Sequence, residues 1–150
     1  MKVSEIMTRD LQILQPDETL QTAAQRMRDY DIGFLPVCDG TNLMGALSDR
    51  DIVTRAIAEG LDISVMLGRD LMTTPPLYCF DDQDVTEAAK VMAEHQVRRL
   101  VILGRDSERV VGVISLGDLA RKGITDISGH VLQKVSEPVN EETATDTKNA

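Results

Sequence analysis

The sequence predicts an α/β (α+β) protein built from two β-α-β-β-α repeats, packed sheet to sheet about a pseudo-two-fold. Three observations lead there. First, the chain is written twice: Met7-Thr8 recurs as Met72-Thr73. At the same spacing Leu20, Ala23, Ala24 and Met27 fall on Val85, Ala88, Ala89 and Met92, and Leu35 and Val37 on Leu100 and Ile102. Two residues later in phase, Gly45, Ser48 and Asp51 match Gly112, Ser115 and Asp118. Second, each copy alternates helix-period and strand-type runs. Third, half of the 150 residues is too little to stand alone, because a unit of roughly 60 residues is marginal. Packing one sheet on the other buries the face that the helices leave bare, and places clefts along the seam.

The elements follow in order. A short helical turn opens each copy, at 3–7 and at 67–72, and a strand follows at 11–15 and 77–80. The next helix carries Leu20, Ala23, Ala24 and Met27, or their counterparts, at the spacing of one buried stripe. Asp17-Glu18 and Asp82 with Asp84 lead into these helices, where acids suit the positive end of the dipole. Strands 34–38 and 43–48 flank Asp39-Gly40-Thr41-Asn42, a hairpin turn signal. Their counterparts, 100–103 and 110–115, flank a loop that absorbs the two extra residues. A last helix, with Ile52, Val53, Ala56 and Ile57, stops at Gly60, and its partner with Leu119 and Ala120 stops at Gly123. Residues 126–150 are read as a C-terminal extension, largely a disordered tail, since beyond Lys134 the pattern lapses into a Thr/Glu/Asp-rich end.

Composition narrows the function. A net charge of −9 repels a phosphate backbone, so nucleic acid is not an expected partner. No run approaches the ~18 apolar residues of a spanning helix, and Met1-Lys2-Val3-Ser4-Glu5 does not read as a signal peptide, so the expectation is no membrane and a cytoplasmic protein. Cys38 and Cys79 are expected as buried thiols, with a disulfide between them left open. His95 and His130 have no nearby Cys or His at ligand spacing, so no metal site is expected. Aromatics are 3% of the chain, so a ring bound in a cleft should meet aliphatic walls.

One constellation carries chemistry: Gly-x-x-Ser-x-x-Asp at a strand-to-helix junction, present as Gly45…Ser48…Asp51 and Gly112…Ser115…Asp118. Ser at the cap and an acid three residues on make a capping-box pattern. The same geometry also suits a ligand. Free N–H groups attract a phosphate, the hydroxyl lies beside it, and a carboxylate one turn in can accept ribose hydroxyls. The glycine permits a flat ring or a backbone to come close. Asp49 and Asp51 are neighbours on a helix start without a nucleophile, which argues against catalysis.

The order Met-Thr, β-α-β-β-α, Gly-x-x-Ser-x-x-Asp, given twice, resembles a tandem pair of cystathionine-β-synthase (CBS) domains over about residues 1–125. The segments Ser48-Asp49-Arg50-Asp51-Ile52 and His95-Gln96-Val97-Arg98-Arg99 are similar to those of small stand-alone bacterial CBS-pair proteins of the hypoxic response type. The resemblance divides the chain into repeat 1 (1–62), repeat 2 (63–125) and the extension. It implies a non-catalytic regulatory module that needs no cofactor and takes an adenosine-containing ligand (AMP, ADP, ATP or similar) in clefts between the repeats. By position, Asp51 and Asp118 would hold ribose hydroxyls, and Ser48 and Ser115 would lie near phosphate. Arg50, Arg98 and Arg99 would be phosphate partners. A homodimer is implied, with a protein partner that the sequence does not identify. The alternative is a ligand-free, stress-associated scaffold with vestigial clefts. Gly33-Phe34 stands where the second copy has Arg98-Arg99, and Gly117 where the first has Arg50, so the clefts are expected to differ.

Overall fold

A computed structural model describes residues 1–138. After a 3-10 turn at Val3–Glu5, the first repeat contains α1 (Leu20–Tyr30), β1 (Phe34–Asp39), β2 (Asn42–Ser48) and α2 (Asp49–Asp51), which runs on into a π-helical stretch, Ile52–Ile57. The second contains α3 (Gly68–Leu71), β3 (Tyr78–Phe80), α4 (Val85–His95), β4 (Arg99–Leu103), β5 (Val110–Ser115) and α5 (Leu116–Arg121). A further helix, α6 (Thr125–Val135), corrects the expected tail over those residues; 139–150 lie outside the described residues. Ile127, Val131 and Val135 recur at helical spacing and pack on the second core, which is why the segment folds.

Helix α1 buries Leu20, Ala23 and Met27, and α4 buries Val85, Ala88, Ala89, Met92 and Ala93. Each ends on a residue in left-handed conformation, Asp31 (φ 52) and Gln96 (φ 53). Asp84 caps α4 as its acid suggests, accepting the Thr86 N–H at 2.9 Å. Thr19 caps α1 instead of Asp17 or Glu18. Glu18 accepts the Gln15 N–H and pairs with Arg26 at 2.8 Å, and the Arg26 guanidinium holds its carboxyl below the ordinary value.

Strands β1 and β2 pair antiparallel, and so do β4 and β5, with β3 parallel to β4. The expected strand at 11–15 is reduced to one parallel bridge, Leu14 to Val37. Gly40, at φ 63, turns the first hairpin, where a side chain would be strained. Both hairpins slip register at the same place, between Val37 and Cys38 and between Ile102 and Leu103, so the duplication extends to irregularities.

The leading segments are exchanged. Thr8 and Val113 trade backbone hydrogen bonds at 2.8 and 3.0 Å, and Thr73 and Ala46 at 2.8 and 3.1 Å. Val3, Ile6 and Met7 pack into the core of the second repeat with Met92, Leu100, Ile102 and Ile114. Leu71, Ile63, Met66 and Met72 pack with Leu14, Leu20, Leu35 and Leu47 of the first. The backbone, not a ring, approaches the motif glycines: a Cβ on Gly45 would sit 2.7 Å from the Thr73 carbonyl oxygen, and one on Gly112 would sit 3.0 Å from that of Thr8. Met-Thr and Gly-x-x-Ser-x-x-Asp recur together because each crosses the other.

Candidate functional site

At the end of β2, the Ser48 hydroxyl accepts the Asp51 N–H at 3.1 Å, and the Asp51 carboxylate accepts the Ser48 N–H at 2.9 Å. Ser115 and Asp118 do the same at the end of β5, at 3.1 and 2.8 Å. Both motifs are therefore reciprocal caps. A cap uses one carboxylate oxygen and leaves the other for a second role. In Asp51 that oxygen faces Arg55 at 3.8 Å and the side chain is a quarter exposed. In Asp118 it is held by Arg121 and the residue is buried.

Two clefts open between the repeats. One, of about 500 Å³, brings together Ser48, Arg50 and Asp51 from the first repeat with Arg98 and Arg99 from the second. Five of the seven residues singled out in the sequence thus share one cavity. The other, of about 220 Å³, holds Ser115 and Asp118 with Arg99 and Arg121. Arg121 was not anticipated; its signal is the one-turn spacing from Asp118, which puts both on one helix face. The walls also differ from expectation, because Phe34 lines both clefts beside aliphatic Leu77 and Val97 in one and Leu11 and Ile32 in the other. Its place at the start of β1, opposite Ser48, carries the ring to the seam.

Neither cysteine belongs to a cleft. Cys38 and Cys79 are buried and free, and burial pushes both thiols up to about 11, with Glu87 adding to the effect at Cys79. Among the described residues no three His, Cys, Asp or Glu side chains are grouped to hold a metal, and no helix is long and apolar enough to cross a membrane.

The CBS domain family model matches residues 3–57 and 68–124. Hypoxic response protein 1 of Mycobacterium tuberculosis is 39% identical over 118 residues, 78% of this chain and 81% of that one. Its crystal structure, which holds two coordinated zinc ions, superposes with a TM-score of 0.74 at 38% identity, covering 81% of this chain and 98% of that one. A CBS domain-containing protein of Bacillus subtilis is 34% identical over 139 residues, 89% of this chain and 94% of that one. A CBS domain protein of Pyrobaculum aerophilum, complexed with AMP, shares the fold with a TM-score of 0.74 at 24% identity, over 91% of this chain and 98% of that one.

Proposed function

This chain belongs to the CBS domain family, and from that premise we propose that it is a regulatory sensor module that binds an adenosine-containing ligand such as AMP, ADP or ATP between its repeats. The observation that carries this is the convergence of Ser48, Asp51, Arg50, Arg98 and Arg99 on one cleft of about 500 Å³, within the range of small-molecule sites. The second oxygen of Asp51 accepts ribose hydroxyls. The guanidiniums of Arg50, Arg98 and Arg99 take phosphate, as planar forks suited to oxyanions. Phe34, Leu77 and Val97 offer a wall for adenine. The smaller cleft, with Ser115 and Asp118, is a second site of lower capacity. AMP in the Pyrobaculum relative agrees with this ligand class.

Signalling follows from where the residues come from. A ligand held by Asp51 on one side and Arg98 and Arg99 on the other favours one separation of the two repeats, and so shifts the equilibrium between geometries by its differential affinity. The Ser48 hydroxyl accepts the Asp51 N–H as part of a cap, which supports a binding role for it rather than a catalytic one.

The chain acts as a homodimer, joined through the outer face of the first repeat. Val53, Ile57, Leu61 and Val65 are all exposed there. In the second repeat the matching position, Ile124, packs into a core that α6 covers with Ile127, Val131 and Val135. A second copy supplies the missing cover. Two free buried thiols suit a reducing cytoplasm.

The test is calorimetry and thermal unfolding with adenosine, AMP, ADP, ATP and S-adenosylmethionine. A true ligand at ~100 times its Kd adds about 2.7 kcal/mol of stability. Asp51→Ala should abolish that gain at the larger cleft. Absence of heat and of any shift with the whole panel would leave a ligand-free scaffold as the function.

A further inference from the structure

Arg99 lines both clefts. It opens β4 opposite Ser115, while Phe34, its counterpart in the other repeat, opens β1 opposite Ser48 and also lines both. The pseudo-two-fold is therefore broken at its centre, with one cation where symmetry would give two. Among the described residues no carboxylate lies within 4.0 Å of Arg99, whereas Arg121 is committed to Asp118 and Arg55 faces Asp51.

The charges around the clefts make that single residue decisive. Arg50, Arg98 and Arg99 outnumber Asp49 and Asp51 in the larger cleft. In the smaller one, Asp10, Asp31 and Asp118 outnumber Arg99 and Arg121. An anion entering the smaller cleft meets one uncommitted cation, and it is Arg99. One guanidinium cannot make its strong, directional bonds to phosphates on both sides of the seam.

We propose that the two clefts compete for Arg99, so that the two nucleotide sites of one chain are negatively coupled. This rests on the nucleotide function proposed above. Phosphate in the Asp51 cleft draws Arg99 to its side and leaves the Asp118 cleft with Asp10, Asp31 and Asp118 against Arg121 alone. Occupation of the Asp118 cleft draws it back and weakens the first site by the same factor, since coupling between binding sites is reciprocal. A chain at moderate nucleotide concentration then holds one nucleotide, not two.

The experiment is a calorimetric titration of the full chain with AMP, in the wild type, Asp51→Ala, Arg99→Ala and the double variant, with Asp118→Ala assigning the second site. In the wild type the Asp118 cleft should bind at least about five-fold more weakly than it does in Asp51→Ala, where the competing site is disabled. In the Arg99→Ala background, adding Asp51→Ala should leave the Asp118 cleft unchanged. Equal affinity of that cleft with and without Asp51, or a difference that persists without Arg99, would overturn the coupling. Loss of all binding in Asp51→Ala overturns it too, while the larger cleft stands as the site. No heat in any of the variants removes the nucleotide function and the coupling together.

Discussion

Met72 lies across Gly45: a Cβ on that glycine would sit 2.8 Å from the Met72 sulfur and 2.7 Å from the carbonyl oxygen of Thr73. The carbonyl is the harder obstacle, because it is fixed by its bond from the Ala46 N–H at 3.1 Å. Gly45→Ala therefore forces the two repeats apart where they are stitched, at a cost of about 1–3 kcal/mol. Gly112→Ala does the same against Met7 and Thr8. Urea unfolding of the two variants measures this; a cost near zero for both means the crossing is loose.

The thiols make stability fall in alkali. With folded values near 11 against an ordinary 9.0, Cys38 and Cys79 keep their protons in the folded chain after the unfolded chain has lost them. Their contribution is complete below about pH 9 and is lost as pH rises toward about 11. Unfolding curves of wild type and Cys38→Ala should converge over that window. Native protein at pH 8 should resist iodoacetamide, which labels both cysteines in denaturant.

Asp84 ties the N-terminus to the second repeat. Its carboxylate accepts the Thr86 N–H and hydroxyl at 2.9 and 2.8 Å and meets the Met1 ammonium at 3.2 Å, which together hold it at about 2. A depressed carboxylate contributes stability above its ordinary 3.8 and loses it as pH falls toward about 2. Asp84→Ala should lower stability at neutral pH, as the loss of a cap does. The gap from wild type should narrow in acid, as chemical unfolding at pH 7 and pH 2.5 will register.

Val53→Asp and Ile57→Asp place a charge in the bare strip of the first repeat, where both side chains are 54% exposed. Sedimentation should show the dimer replaced by monomer, with the melting of the monomer little altered. A wild type that sediments as a monomer at all accessible concentrations removes the proposed interface.

The duplication, the hairpins and the paired caps were legible because their signals are local: a Gly at a turn, Ser three residues before Asp, a stripe at helical spacing. Gly60 and Gly123 end their helices at φ 71 and 75, as the sequence expected. The exchange of leading segments was not legible, since nothing within Met7-Thr8 says which of two similar sheets will receive it. Helix α6 was hidden by the polar residues around Ile127, Val131 and Val135, which look like tail until there is a core to pack on. Arg121 escaped notice because a surface arginine at a helix end is ordinary; only the burial of Asp118 beside it makes it a lining residue of the cleft. Five of the seven proposed contact residues converge because the strand ends that carry them face one another across the seam.

Synthesis runs in one direction, and the exchanged segments give it an awkward order. Thr8 is among the earliest residues to leave the ribosome, yet its strand partner Val113 is among the last of the folded body. The core of the first repeat is complete once Met72 has been made, but that of the second joins Val3, Ile6 and Met7 to Ile114, Leu119 and Val131, so it closes late, as a long-range event. A nascent chain halted before residue 113 should be cut freely by protease within its second repeat, and one released after residue 138 should resist there. For a protein this small, that makes the interval of translation itself the period of greatest exposure to misassembly.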